Sequence, residues 1–132
     1  MSRSGFVHLH NHSDYSLLDG AQTVGKLVAS AVASGMPAVA LTDHGNMFGA
    51  IKFYDTAKKA GINPIVGMEA YVTRGSRTDK TAKHGPLNPL DHLVLLARNE
   101  TGYRNLVRLS SAGFVEGFYY KPRVDHDLLK RH

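Results

Sequence analysis

The chain has 132 residues, 42% of them hydrophobic, and 16 Lys and Arg against 11 Asp and Glu give a formal net charge of +5; this suffices for one domain with a genuine core. The absence of cysteine excludes disulfides, thiolate metal sites and cysteine nucleophiles, so any metal must be held by imidazole and carboxylate, a donor set that suits zinc, manganese or iron. No apolar run reaches the length of a membrane span and the opening "MSRSGF" lacks a signal-peptide core, which predicts a cytoplasmic protein with no membrane partner.

Taken in order, "GFVHLH" reads as a first strand. "TVGKLVASAVASG" reads as a helix, with Thr23 as N-cap, an apolar stripe at Val24, Leu27, Val28 and Ala31, and Gly35 as the stop. "PAVALT" is a continuous apolar run, as expected of a strand buried on both faces. A second helix is predicted from about residue 50 to 60, closed by Gly61, and "NPIVGMEAYV" gives a further strand. This βαβαβ order implies an α/β fold with a mainly parallel sheet, in which the strand C-terminal ends collect functional residues. Residues 73 to 91 are polar, basic and Gly/Pro-containing and predict a long exposed loop. "HLVLLA" resumes a strand, "NETGYRNLVRLSSAGF" a helix capped near Thr101, and "RVDHDLLKRH" a last helix starting at Asp125.

"HLHNH", residues 8 to 12, is the densest chemical signal. On an extended segment, alternate imidazoles share one side, the usual way for neighbours to share a metal. His10 and His12 fall at the predicted strand end, whereas His8 lies deeper and suits a supporting hydrogen bond. Asp43 and His44 leave "AVALT" together, with Asp43 either a ligand or an orienting partner of His44. Glu69 interrupts an apolar strand, and a buried carboxylate needs a positive partner. Asp19 precedes Gly20 and could serve a turn alone. His92 begins its strand, so a parallel topology does not bring it to the same edge. The histidines at 84, 126 and 132, and the apolar Met47, Phe48, Phe53 and Tyr54, read as surface and packing residues. The loop cations Arg74, Arg77, Lys80 and Lys83 read first as a solvated surface, with contact to the phosphates of a polyanion as the second reading.

No nucleophile elbow or phosphate-cradling glycine motif is present, and nothing orients Ser13 or Ser16 for acyl transfer. Cations held by nitrogen and oxygen donors acidify their bound water and neutralise phosphate charge. Metal-assisted phosphoester hydrolysis is therefore the reaction class that the residues themselves indicate, with no catalytic side chain beyond the ligands and their supports.

The phrases "HLHNHSDYSLLDG", "ALTDHGNMFGAIKFYDTAKKAGINPIVGMEAYV" and "HLVLLARNETGYRNLVRLSS" resemble the N-terminal PHP (polymerase and histidinol phosphatase) domain of bacterial DNA polymerase III alpha subunits, over nearly the whole chain. "GFVEGFYYKPRVD" belongs to the same polymerase branch. The resemblance implies part of a distorted (βα)₇ barrel, with this chain as the domain's N-terminal portion, holding two or three divalent metals. It carries the ligand role to His10, His12, Asp19, His44, Glu69 and His92, and leaves His8 and Asp43 in support. It further implies a DNA polymerase parent with a metal-dependent 3′–5′ exonuclease acting on the primer strand. The remaining polymerase, a proofreading exonuclease subunit and the sliding clamp are the implied partners. Later family ligands, a Cys or His and an Asp-x-His pair, have no counterpart before His132, so this length is expected to hold part of the metal site and to be inactive by itself. A scaffold for the proofreading subunit and a stand-alone phosphatase are the alternatives.

Overall fold

The computed structural model describes residues 5–81 and 90–132; the candidates Lys83 and His84 lie outside them. The described residues form eight elements, in order α1 (Val24–Ala33), β1 (Ala38–Leu41), α2 (Ala50–Lys59), β2 (Asn63–Thr73), β3 (Asp91–Leu96), α3 (Glu100–Val115), β4 (Arg123–Asp125) and α4 (His126–Arg131).

α1 forms as its spacing predicts. The Thr23 hydroxyl accepts from the Lys26 N–H, and Val24, Leu27, Val28 and Ala31 are the buried residues of the helix. They meet Val39 and Leu41 of β1 and Phe53 and Ala57 of α2 in a first core cluster, closed by Ile62. β1 is buried at all four positions, as an apolar run between two layers must be. A second cluster joins Met68, Ala70 and Val72 of β2 to Leu106 and Leu109 of α3, Val124 of β4 and Leu128 of α4. The period-2 alternation of β2 therefore turns Glu69 and Tyr71 to the face opposite α3.

β2 is the axis of the sheet. β1 pairs parallel with its first half, from Ala38↔Asn63 to Leu41↔Val66, and the register continues to a parallel bridge between His44 and Glu69. β4 pairs parallel with its last residues, Tyr71↔Arg123 to Thr73↔Asp125, while β3 runs antiparallel along the opposite edge, Gly67↔Leu96 to Val72↔Asp91. The result is a mixed α/β fold with a parallel-rich sheet. Among the described residues no helix is long and apolar enough to cross a membrane.

Four expectations are corrected. Residues 5–12 run beside β1 without forming a ladder strand: the Ala40 N–H donates to His8 O and the Thr42 N–H to Asn11 O, but the Ala40 carbonyl between them accepts from the Asn11 side-chain amide, and a side chain taking the backbone's place there interrupts the ladder. β3 is antiparallel, pairing from Gly67↔Leu96 to Val72↔Asp91, so its first residues, and not its last, lie beside the C-terminal end of β2. β4 was not anticipated, since three residues carry no readable period. The cap of α3 is Asn99, whose side chain accepts from the Gly102 N–H, and not Thr101.

Candidate metal centre

The loop after β1 fixes the heart of the site. The Glu69 N–H donates to Asp43 O at 3.0 Å and the Gly45 N–H to Glu69 O at 2.8 Å, which sets His44 and Glu69 side by side. Gly45 has φ +62°, and a Cβ there would lie 2.7 Å from Pro122 Cγ and 3.0 Å from Tyr71 Cδ2. Only glycine admits both the left-handed backbone and that approach.

A second fastening holds the turn that carries Asp19. Asp43, 1% exposed, accepts from the Ser13 N–H at 2.7 Å, the Ser13 hydroxyl at 2.8 Å and the Ser16 hydroxyl at 2.7 Å. Ser16 Oγ in turn accepts from the His44 N–H at 3.0 Å. Asp43 thus supports His44 through Ser16 and the backbone, with its oxygens directed at the serines, away from the imidazole. Gly20 closes this turn, its N–H donating to Ser16 O at 2.7 Å; a Cβ at Gly20 would meet Ser13 O at 1.6 Å.

On this frame the six ligand candidates converge as three overlapping groups, His10–His12–Glu69, His12–Asp19–His44 and His44–Glu69–His92, each with its donor atoms within 4.8 Å of one another. Glu69 Oε2 receives His10 Nε2, and His12 Nε2 at 2.7 Å; Oε1 receives His92 Nδ1 at 2.5 Å. Asp19 Oδ2 lies 2.6 Å from His44 Nε2 and 2.8 Å from His12 Nδ1. His92 reaches the group because the antiparallel run of β3 sets its first residues beside the C-terminal end of β2, pairing His92 with Tyr71. His8 does not join. It is exposed and packs edge-on to Phe6 with ring centroids 4.8 Å apart, since the irregular course of residues 5–12 breaks the alternation that would have aligned it with His10.

The electrostatics follow from this crowding. Burial pushes the Glu69 carboxyl up, but donation from His10, His92 and His12 outweighs it and holds the group at about 2. Donation from His44 holds Asp19 below the usual carboxylate range, with His12 adding to it. Both carboxylates are therefore ionised at neutral pH and available as ligands.

The donor set fits divalent cations. Both nitrogens of His12 face carboxylate oxygens, whereas a neutral imidazole has a single N–H to give. The buried His44 Nδ1 has no hydrogen-bond partner among the described residues, lying 3.5 Å from Glu69 Oε1. Imidazole lone pairs and anionic oxygens are thus in excess of the protons that would join them, and cations bound between them would satisfy both.

The loop cations divide. Arg74 pairs with Asp91 at 3.1 Å, Lys80 is exposed, and Arg77 turns inward to Glu116 and Asp125. Two residues were overlooked in the sequence. Tyr71 stacks on His44 with ring centroids 5.6 Å apart and planes 12° from parallel, and Lys121 Nζ lies 5.3 Å from the Tyr71 ring. The spacing of Tyr71 two residues after Glu69 was the signal for the first; nothing local marks the second.

Comparison with known proteins gives the chain's relatives and its family. The chain is 54% identical over 131 residues to the DNA polymerase III subunit alpha of Borreliella burgdorferi, covering 98% of this chain and 11% of that one. It is 54% identical over 132 residues to the same subunit of Treponema pallidum, covering 100% and 11%. The chain thus spans only about a tenth of the length of these relatives. Its fold is similar to that of a structure assigned as a metal-dependent phosphoesterase from Bifidobacterium adolescentis, at a TM-score of 0.54 and 20% identity, covering 86% of this chain and 36% of that one. The sequence profile of the PHP domain matches residues 8–132, and with the histidines and acids of its motifs gathered at one end of the sheet, the chain belongs to the PHP domain family.

Proposed function

We propose that this chain is the N-terminal portion of the PHP domain of a replicative DNA polymerase III alpha subunit, and that its centre hydrolyses the terminal phosphodiester of a primer strand as a 3′–5′ exonuclease. The observation that carries the reading is the convergence of His10, His12, Asp19, His44, Glu69 and His92 around shared carboxylates. The reading extends to an architecture in which this sheet is part of a distorted (βα)₇ barrel, and to the remaining polymerase and DNA as partners.

His10, His12 and Glu69 would hold one divalent ion (zinc, manganese or iron), with Asp19, His44 and His92 completing the neighbouring positions. When bound, such ions supply Lewis acidity, drawing charge from a phosphoryl oxygen and making water a competent nucleophile near neutral pH. The chain's own residues do the rest. Glu69 keeps three imidazoles in one orientation, and its low pKa keeps it anionic. Asp43, through Ser13 and Ser16, holds the turn bearing Asp19 against the loop bearing His44. Tyr71 covers one face of His44 and restrains the ring.

The test is primer shortening by the full-length protein, freed of any separate proofreading nuclease. His10→Ala and His44→Ala are each expected to lower the rate by more than about a hundredfold, since even residues that only support a ligand are worth 10–100-fold. Metal analysis of the same samples should show loss of bound ion. Undiminished shortening in both variants refutes the assignment.

A further inference from the structure

Beside the metal centre the surface changes character. Phe48 follows His44 by four residues in the same loop and is 63% exposed. Its ring contacts Phe114 at 5.5 Å between centroids, and Phe114 contacts Phe118 at 6.1 Å. Phe118 leads into a tight turn in which the Tyr119 N–H donates to Lys121 O at 3.1 Å. Tyr120 at its tip has φ +60° and is 60% exposed. A bulky residue in the left-handed region is costly, and such strain survives where the surroundings impose it, often at ligand-binding positions. The same turn sets Lys121 over Tyr71, the ring stacked on His44, and Lys121 makes no ion pair among the described residues.

Among the described residues these rings cluster beside the metal centre without being buried. Exposed flat rings interleaved with an unpaired cation are the chemistry of single-stranded nucleic-acid grooves, in which bases stack on aromatics and cations track phosphates. The net charge of +5 favours the same polyanion. An apolar polypeptide would gain nothing from a cation set between the rings and the metal centre, and a duplex hides its base faces. We propose that this rim binds the 3′ end of a single strand: Lys121 takes a backbone phosphate next to the metal centre, and Tyr120, Phe118, Phe114 and Phe48 stack the neighbouring bases. The proposal rests on the phosphodiesterase reading above and adds the residues that select its substrate.

The test compares two strands in the full-length protein with manganese: oligothymidylate, and an abasic strand of equal length with the same phosphates and no bases. Wild type is expected to prefer the base-bearing strand by at least about tenfold in kcat/KM, the range of one or two base–aromatic stacks. Phe118→Ala combined with Tyr120→Ala should erase that preference, and Tyr120→Phe should keep it. Lys121→Gln should weaken both strands alike, with Lys121→Arg restoring them. A preference that survives loss of both rings overturns the proposal. A second readout is independent of hydrolysis: a photoreactive benzoylphenylalanine in place of Tyr120, with chelator present, should crosslink to the last nucleotides of the oligothymidylate 3′ end. If wild type cleaves neither strand, the phosphodiesterase reading falls, and the crosslink alone then decides. Crosslinks at the 3′ end sustain the surface, and their absence overturns it.

Discussion

Two polar networks flank the C-terminal end of β2, and each removes charge from water in a different way. Around Glu69, acids meet imidazoles, the lone pairs of the two together outnumber the available protons, and the buried His44 Nδ1, like Arg123 Nη1 of the neighbouring network, has no hydrogen-bond partner among the described residues. Around Asp125, acid meets guanidinium. Arg77 Nη1 donates to both Asp125 oxygens at 3.2 and 3.1 Å, the Arg77 N–H donates to Asp125 at 2.9 Å, and Arg77 also pairs with Glu116. Arg123, 0% exposed, donates to the carbonyls of Gly117, Arg77 and Asp79. The second network brings its own cations and acts as a fastener. The first offers anions and lone pairs to a cation from outside. Partnering chemistry, more than burial, separates a structural cluster from a metal centre.

The largest stability effect should come from breaking the fastener. Asp125 caps α4 by accepting from the Leu128 N–H at 2.9 Å as well as holding Arg77. Asp125→Ala should therefore cost about 3 kcal/mol, the lower range for removing one partner of a buried pair together with a cap, without changing metal affinity. Burial pushes the Asp125 carboxyl up, but donation from the Arg77 and Leu128 N–H groups and from the Arg77 side chain outweighs it and leaves it below the usual range. A folded-state pKa that is depressed contributes stability in full above the unfolded value, about 3.9, and loses it as the pH falls through the native value. Urea titrations should show the gap between wild type and variant at full size near pH 7 and closing below about pH 4. A gap that widens in acid would contradict the sign.

A smaller effect, dependent on the added ion, should come from the metal side. At a hundred times its dissociation constant a metal stabilises the fold by about 2.7 kcal/mol, and this increment should appear as a rise in Tm when zinc is added to wild type. Glu69→Gln keeps the shape and an acceptor oxygen but not the charge. With chelator present its Tm should fall below wild type, because the charge that the three imidazole donations stabilise is gone, and added zinc should move it little from there. An equal zinc response in both proteins would remove Glu69 from the ligand set and leave the comparison between the two networks without its basis.

Local signals in the sequence were reliable where one element suffices to express them. Thr23 and the stripe from Val24 to Ala31 define α1 without outside help, and "AVAL" is apolar enough to declare a buried strand. His10, His12, His44 and Glu69 were legible as residue types at or near the ends of apolar runs, whereas Asp19 and His92 joined them only through the family resemblance. The centrality of Glu69 was not legible, because it depends on the bridge to His44 and on partners 23, 57 and 59 residues away. His92 read as misplaced only because strand direction is set by the connection, which composition does not encode. His8 read as aligned because alternation was assumed across a segment that Asn11 diverts from its ladder. Arg77 read as a surface cation, since its acids lie 39 and 48 residues further on.

The smallest effect sharpens the comparison within one loop. Arg74 and Arg77 are three residues apart and both are ion-paired. Arg74 and Asp91 have side chains 78% and 51% exposed, whereas Arg77 and Asp125 are 14% and 8% exposed. Water and salt screen the first pair, and the entropy of holding two mobile side chains offsets what attraction remains. The donation from Arg74 that lowers the Asp91 carboxyl is therefore no measure of folding stability. Arg74→Ala should leave Tm unchanged within error at 0.15 M salt, while Arg77→Ala lowers it by several degrees. Equal losses in the two variants would mean that exposure does not discount the pair, and the distinction between a fastener and a solvated contact would have to be drawn on other grounds.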